Sequence, residues 1–100
     1  MEVSPDLKDK LEKAFQAFKE NRLGEMVIAE LVNQEEELSL YLIAKDNASD
    51  RYYGIIESAL NGPVPIFGIS ETGIEALDLI EVPMIPFKAN RYLEYGTKTS

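Results

Sequence analysis

The chain has 100 residues, of which 18 are acidic and 10 are basic, and its formal net charge is −8. It contains no histidine and no cysteine, which excludes disulfides, thiolate chemistry and Ser-His-Asp or Cys-His catalysis within this chain. The scarcity of Lys and Arg argues against nucleic acid or an anionic membrane surface as a partner, because both attract clustered positive charge.

The N-terminal segment 5–22 is typical of an amphipathic helix. Ser4 is a good N-cap residue, and Pro5 suits the first helical position. Apolar side chains then recur at helical spacing and predict one buried face. They are Leu7, Leu11, Ala14, Phe15 and Phe18. Gly24 is the expected helix stop.

The next part of the chain predicts strands. Segment 25–33 carries apolar residues at both odd and even positions, as in a strand that is covered on both faces. The polar run 33–37 predicts a hairpin loop, and segment 38–45 alternates as a half-buried strand does. Turn-forming residues fill 46–50.

Segment 51–58 fits two structures. Its apolar residues match a helical stripe, yet Arg51 to Ile56 is rich in strand-forming residues. Gly54 would cost about 1 kcal/mol inside a helix. A strand directly after a short turn also completes a hairpin, so we favour a strand.

The C-terminal half combines short apolar segments with a second helix. Asn61-Gly62-Pro63 predicts a turn, and Pro65 places the strand 64–69 at a sheet edge or strand start. Thr72 and Glu75 have the spacing of a capping box at the start of a helix at about 71–80.

The last part of the chain has weaker signals. The two prolines within 82–87 predict an edge strand or an extended arm. Residues 90–95 fit one or two helical turns, and 97–100 are expected to be a frayed tail.

Together these elements predict an α+β fold of order α-β-β-β-β-α-β, in a single domain spanning 1–96. It combines an N-terminal amphipathic helix, a mostly antiparallel sheet of four or five strands and a second helix. The helices are expected to cover one sheet face, with the other partly open around Tyr41 or Tyr53.

The acidity is concentrated in the middle of the chain. Residues 1–24 are neutral, whereas residues 25–87 hold twelve acidic residues and only Lys45 and Arg51, a net charge of −10. Residues 88–100 carry +2. Such a surface favours solubility, and it also favours association with a basic partner.

No residue pattern predicts a catalytic, cofactor or metal site, so none is assigned. The candidate partner-binding residues combine carboxylates, which steer a partner, with tyrosines, which anchor it. They are Glu35, Glu36, Glu37, Asp50, Tyr52, Tyr53 and Glu57. In a strand, the adjacent Tyr52 and Tyr53 must point to opposite faces.

The leading hypothesis is a non-catalytic acidic interaction protein, such as an inhibitor, immunity-type protein, adaptor or chaperone. Its expected partner is another protein with a basic surface. Two alternatives remain. One is a small regulatory or ligand-binding domain that forms a homo-oligomer through the edge segments 63–69 or 82–87. The other is a carboxylate-based enzyme. The first six residues do not resemble a secretory signal, so a cytoplasmic location is expected.

Overall fold

The computed structural model describes residues 3–99, with the side chains of residues 3–94. Its helices are α1 (Pro5–Asn21), α2 (Glu71–Ala76) and α3 (Ala89–Thr99). Its strands are β1 (Met26–Val27), β2 (Ala29–Asn33), β3 (Leu38–Lys45), β4 (Arg51–Ser58), β5 (Gly62–Ser70), β6 (Ile80–Val82) and β7 (Phe87–Lys88). The predicted α+β class and the approximate order of its elements are confirmed.

Helix α1 forms where the sequence predicts it. The Ser4 hydroxyl accepts a hydrogen bond from the Leu7 backbone N–H, so one of the free donors of the first turn is satisfied. The helix ends at Asn21, because Arg22 takes a positive φ of 52°. Gly24 is therefore not the stop, and it lies instead in the short 3-10 turn Arg22–Gly24.

The main sheet has five strands in the order β5-β4-β3-β2-β6, and every neighbouring pair is antiparallel. Strands β2 to β5 form a meander, and the chain then crosses to the opposite edge through α2. The predicted strand 25–33 is divided at Ile28. Its first part, β1, leaves the main sheet and pairs with β7 in a second, two-stranded sheet.

Segment 51–58 is strand β4, so the strand alternative is confirmed. Gly54 is required there by the close approach of β3. A β-carbon at Gly54 would lie 1.9 Å from the Tyr41 carbonyl oxygen, beside the irregularity between Leu42 and Ala44. Gly54, which would destabilise a helix, is thus the residue that allows β3 and β4 to approach each other.

The second helix is shorter than predicted, and its cap is different. Ser70 is the N-cap and accepts a hydrogen bond from the Gly73 N–H at 3.0 Å, so the predicted Thr72–Glu75 capping box is wrong. The helix ends at Ala76, and Asp78 then takes a φ of 53°. This left-handed residue reverses the chain, so β6 begins at Ile80, where the sequence predicts the end of the helix.

Both faces of the sheet are covered, because successive strand residues enter two different core clusters. Leu40 and Leu42 belong to the first cluster, with Leu7, Leu11 and the side chains around α2. Tyr41 and Ile43 belong to the second, with Phe18 and side chains from the β7–α3 region. The expected open face around Tyr41 is therefore wrong, since Tyr41 is only 8% exposed.

Both edge strands of the main sheet have features that disfavour pairing with another strand. On β5, Pro63 and Pro65 face Glu57 and Ile55 of β4, and a proline is tolerated where its nitrogen points away from the neighbouring strand. The free edge of β5 then lacks N–H donors at both positions. The other edge strand, β6, has only three residues.

The C-terminal segment fits the predicted extended arm and contains a longer helix than predicted. Residues 83–86 connect β6 to β7, and Val82 and Phe87 belong to those two strands. Helix α3 runs from Ala89 to Thr99, whereas one or two turns are predicted at 90–95, and Ser100 lies outside the described residues. Among residues 3–99, no helix combines the length and apolar character needed to span a bilayer.

Candidate partner-binding site

The turn between β2 and β3 is organised by Asn33. Its Oδ1 accepts a hydrogen bond from the Glu36 N–H at 3.1 Å, which closes the turn. Its Nδ2 donates to the Leu77 carbonyl oxygen at 3.0 Å. One side chain therefore both shapes the acidic turn and attaches it to the end of α2, 44 residues later in the sequence.

An open groove lies between this turn and the end of α2. We call it the acidic groove. Its volume is about 490 Å³. It is lined by Asn33, Glu35, Glu36, Leu38, Ala76, Leu77 and Asp78. Among these described lining residues, every charged side chain is a carboxylate. Among the described side chains, Glu35, Glu36 and Asp78 take part in no ion pair.

A smaller concavity adjoins the acidic groove and shares Leu38 with it. We call it the apolar pocket. Its volume is about 190 Å³, and its lining is mostly apolar in surface. It is lined by Leu38, Ile56, Ser58, Asn61, Gly62 and Val64. The strand register places Leu38, Ile56 and Val64 on the same face of the sheet. Leu60 lies next to this pocket in sequence and is 95% exposed.

Two of the predicted partner-binding residues, Tyr52 and Asp50, form hydrogen bonds to the start of α2. Tyr52 is fully buried, and its hydroxyl donates to Glu71 Oε1 at 2.7 Å. Asp50 accepts a hydrogen bond from the Glu71 backbone N–H at 3.1 Å. Tyr52 is thus a core residue, and its ring is withdrawn from any partner. The reason is that its strand face is the one covered by α1 and α2.

The pKa of Glu71 is set by two opposing effects, burial and hydrogen bonding. Burial alone would raise the pKa of Glu71, but hydrogen bonds from Lys8 and Tyr52 outweigh it and lower the pKa. Lys8 Nζ lies 2.9 Å from Glu71 Oε1. Burial, followed by the hydrogen bond to Glu71, raises the pKa of Tyr52 far above its usual range. The carboxylate stays charged and the phenol stays neutral.

The other tyrosine of the pair and Glu57 face the second core cluster. The Tyr53 ring stacks on Phe18 with a centroid separation of 4.9 Å and on Phe15 at 5.8 Å. It is half-buried, and the expected opposite orientation of Tyr52 and Tyr53 is confirmed.

Glu57 forms a three-residue network with Tyr41 and Tyr92. Tyr92 donates to Glu57 Oε1, Tyr41 donates to the same oxygen at 3.5 Å, and the two hydroxyls lie 3.2 Å apart. Burial, followed by the bond to Glu57, raises the pKa of Tyr92 far above its usual range. Glu57 therefore anchors α3 to the sheet, and it is only partly available to a partner.

Of the predicted partner-binding residues, Glu35, Glu36 and Glu37 lie on the open surface of one turn. The structure adds Asn33 and Asp78, which sequence reasoning did not assign. Asn33 carried a signal, since Asn before a polar run is a common turn former. Asp78 has no such sequence signal, because its place in the groove depends on where α2 ends. Among the described residues, no group of three carboxylates could hold a metal ion.

Comparison of the chain with protein-family models, with curated proteins and with solved structures finds no match.

Proposed function

We propose that this protein is a non-catalytic interaction protein that binds a basic partner protein at the acidic groove. The observation that carries the proposal is that Glu35, Glu36 and Asp78 line one concave surface whose described lining residues include no Lys or Arg. Such a surface attracts positively charged partners over about one Debye length, about 8 Å at physiological salt, and mainly accelerates association.

Three carboxylates elsewhere in the fold contrast with those of the acidic groove. Glu12 pairs with Lys45, and Glu57 accepts a hydrogen bond from Tyr92. Glu71 contacts both Lys8 and Tyr52. These three carboxylates therefore have partners within the chain. Glu35, Glu36 and Asp78 lack such partners among the described side chains. A basic side chain from another protein would complete their electrostatic environment.

The test is a paired capture experiment from native lysate. We expect the wild-type protein to retain a basic protein at low salt and to release it as the salt concentration rises. E35Q/E36Q should retain at least tenfold less of that protein, whereas the control E20Q/E94Q should behave as wild type. The control removes the same charge from exposed sites on α1 and α3. Equal capture by both variants, or no capture by the wild type, would refute the proposal.

The two alternatives predict other outcomes. A homo-oligomer formed through 63–69 or 82–87 predicts a stable dimer in sedimentation experiments without added partner. The prolines on the β5 edge and the short β6 make strand pairing there unfavourable. A carboxylate-based enzyme predicts turnover that is lost in E35Q/E36Q.

A further inference from the structure

The apolar pocket beside the acidic groove is a second concavity that the proposed function does not use. The two share Leu38 as a lining residue, so a ligand that lies across Leu38 contacts carboxylates on one side and apolar atoms on the other. The pocket measures about 190 Å³, and a cavity of about 150 Å³ is large enough for a benzene ring. It therefore has room for one branched aliphatic or aromatic side chain.

The apolar side chains around this pocket are incompletely covered by the chain itself. Val64 is 42% exposed on β5, and Leu60 is 95% exposed at the tip of the β4–β5 hairpin. An exposed apolar side chain that lines a concavity, as Val64 does, marks a surface that gains free energy when a partner covers it.

Charge decides between two occupants of this surface. A second copy of the chain could insert its own exposed Leu60 into the pocket, in a symmetric exchange. That arrangement would place two acidic grooves close together, and each chain carries a net charge of −8. Like charges across an interface are strongly unfavourable, whereas a basic segment is attracted.

We infer that the occupant is a partner segment in which a Lys or Arg lies next to a large apolar residue. The basic side chain enters the acidic groove near Glu35 and Asp78, and the apolar side chain crosses Leu38 into the apolar pocket. This inference rests on the proposed function and adds the second half of the recognition motif. The charged contact controls the rate of association, and burial of the apolar side chain controls the rate of dissociation.

The test uses two fluorescein-labelled twelve-residue peptides of equal charge, one of alternating Lys and Leu and one of alternating Lys and Ser. Binding is measured by fluorescence anisotropy. The site is located by amide chemical-shift changes in the isotopically labelled protein. We expect the Lys-Leu peptide to bind at least tenfold more tightly, with the largest shifts at Leu38, Ile56 and Val64.

A pair of variants assigns the apolar contact. V64N makes one wall of the pocket polar on an exposed edge strand, and we expect it to weaken Lys-Leu binding about tenfold without changing Lys-Ser binding. I85N is the matched control, because Ile85 is 86% exposed and lies outside both concavities. It should leave both affinities unchanged.

The outcomes separate this inference from the proposed function. Equal binding of the two peptides, or shifts that avoid Leu38 and Val64, would overturn the inference and leave the charge-based proposal intact. A dimer in sedimentation experiments that V64N dissociates would identify a second copy as the occupant, and would overturn the inference. Failure of both peptides together with failure of the lysate capture would overturn both.

Discussion

The acidic groove and the two tyrosine–carboxylate networks use the same residue types in opposite ways. In the networks, Glu57 and Glu71 are half-buried and accept hydrogen bonds from tyrosine hydroxyls. In the groove, Glu35, Glu36 and Asp78 are exposed and form no ion pair among the described side chains. Carboxylates that hold elements together are thus distinguished from those available to a partner by burial and by hydrogen bonds. Their identity in the sequence does not distinguish them.

The comparison predicts that substitutions in the networks lower stability. The largest effect is expected for Y52A, because the fully buried ring leaves a cavity and Glu71 loses a donor. We expect the free energy of unfolding to fall by about 3–5 kcal/mol, as for other aromatic-to-alanine changes in cores. Urea denaturation followed by circular dichroism measures this. Y52F keeps the ring and should cost less than half as much. Equal losses for Y52A and Y52F would contradict the role of the ring.

A smaller loss is expected for Y92F, which removes the hydroxyl that anchors α3 to Glu57. A hydrogen bond to a charged group contributes about 1.5–3 kcal/mol, and Tyr41 still bonds to Glu57 in the variant. We therefore expect a loss near the lower end, about 1.5 kcal/mol, at pH 7. A loss below about 0.3 kcal/mol would show that α3 does not depend on this contact.

The same variant has an expected signature at alkaline pH. The pKa of Tyr92 is higher in the folded protein than in the unfolded chain, so the folded state favours the protonated phenol. Its stabilising contribution is complete below about pH 10 and is lost as the pH rises above that value. Denaturation at pH 8 to 11 should show a shallower decline for Y92F than for the wild type. Parallel declines would contradict the coupling.

The smallest effect on stability is expected in the groove. E35Q/E36Q removes two exposed charges that have no ion-pair partner among the described side chains, so the free energy of unfolding should change by less than about 0.5 kcal/mol. The same variant should lose partner capture. A loss of stability above about 1 kcal/mol would instead place these residues among the structural carboxylates, and the contrast between the two regions would fail.

The parts of the fold that were predicted correctly depend on local signals. Ser4, Pro5 and the apolar spacing of α1 act within one or two turns of helix, and the alternation of 38–45 acts within one strand. The errors have two sources. One is local, since Ser70 caps α2 in place of Thr72 two residues later. The other is the pairing of distant segments, since β1 leaves the main sheet and pairs with β7.

The candidate site divides in the same way. The exposed run Glu35 to Glu37 follows from its polar composition between two strands. Tyr52 lies in the core, and the sequence does not predict this because burial of its strand face depends on where α1 and α2 pack. Asp78 joins the groove through the hydrogen bond between Asn33 and Leu77, which spans 44 residues.

The sequence by itself determined the α+β class, the first helix, the hairpin strands and the concentration of charge between residues 25 and 87. These properties arise from composition and short-range periodicity, which every copy of the chain carries before it folds. Only the tertiary structure decided which carboxylates became half-buried and hydrogen-bonded and which remained open. That choice depends on contacts between residues far apart in the chain, where desolvation and hydrogen bonding act on one glutamate and leave another in water.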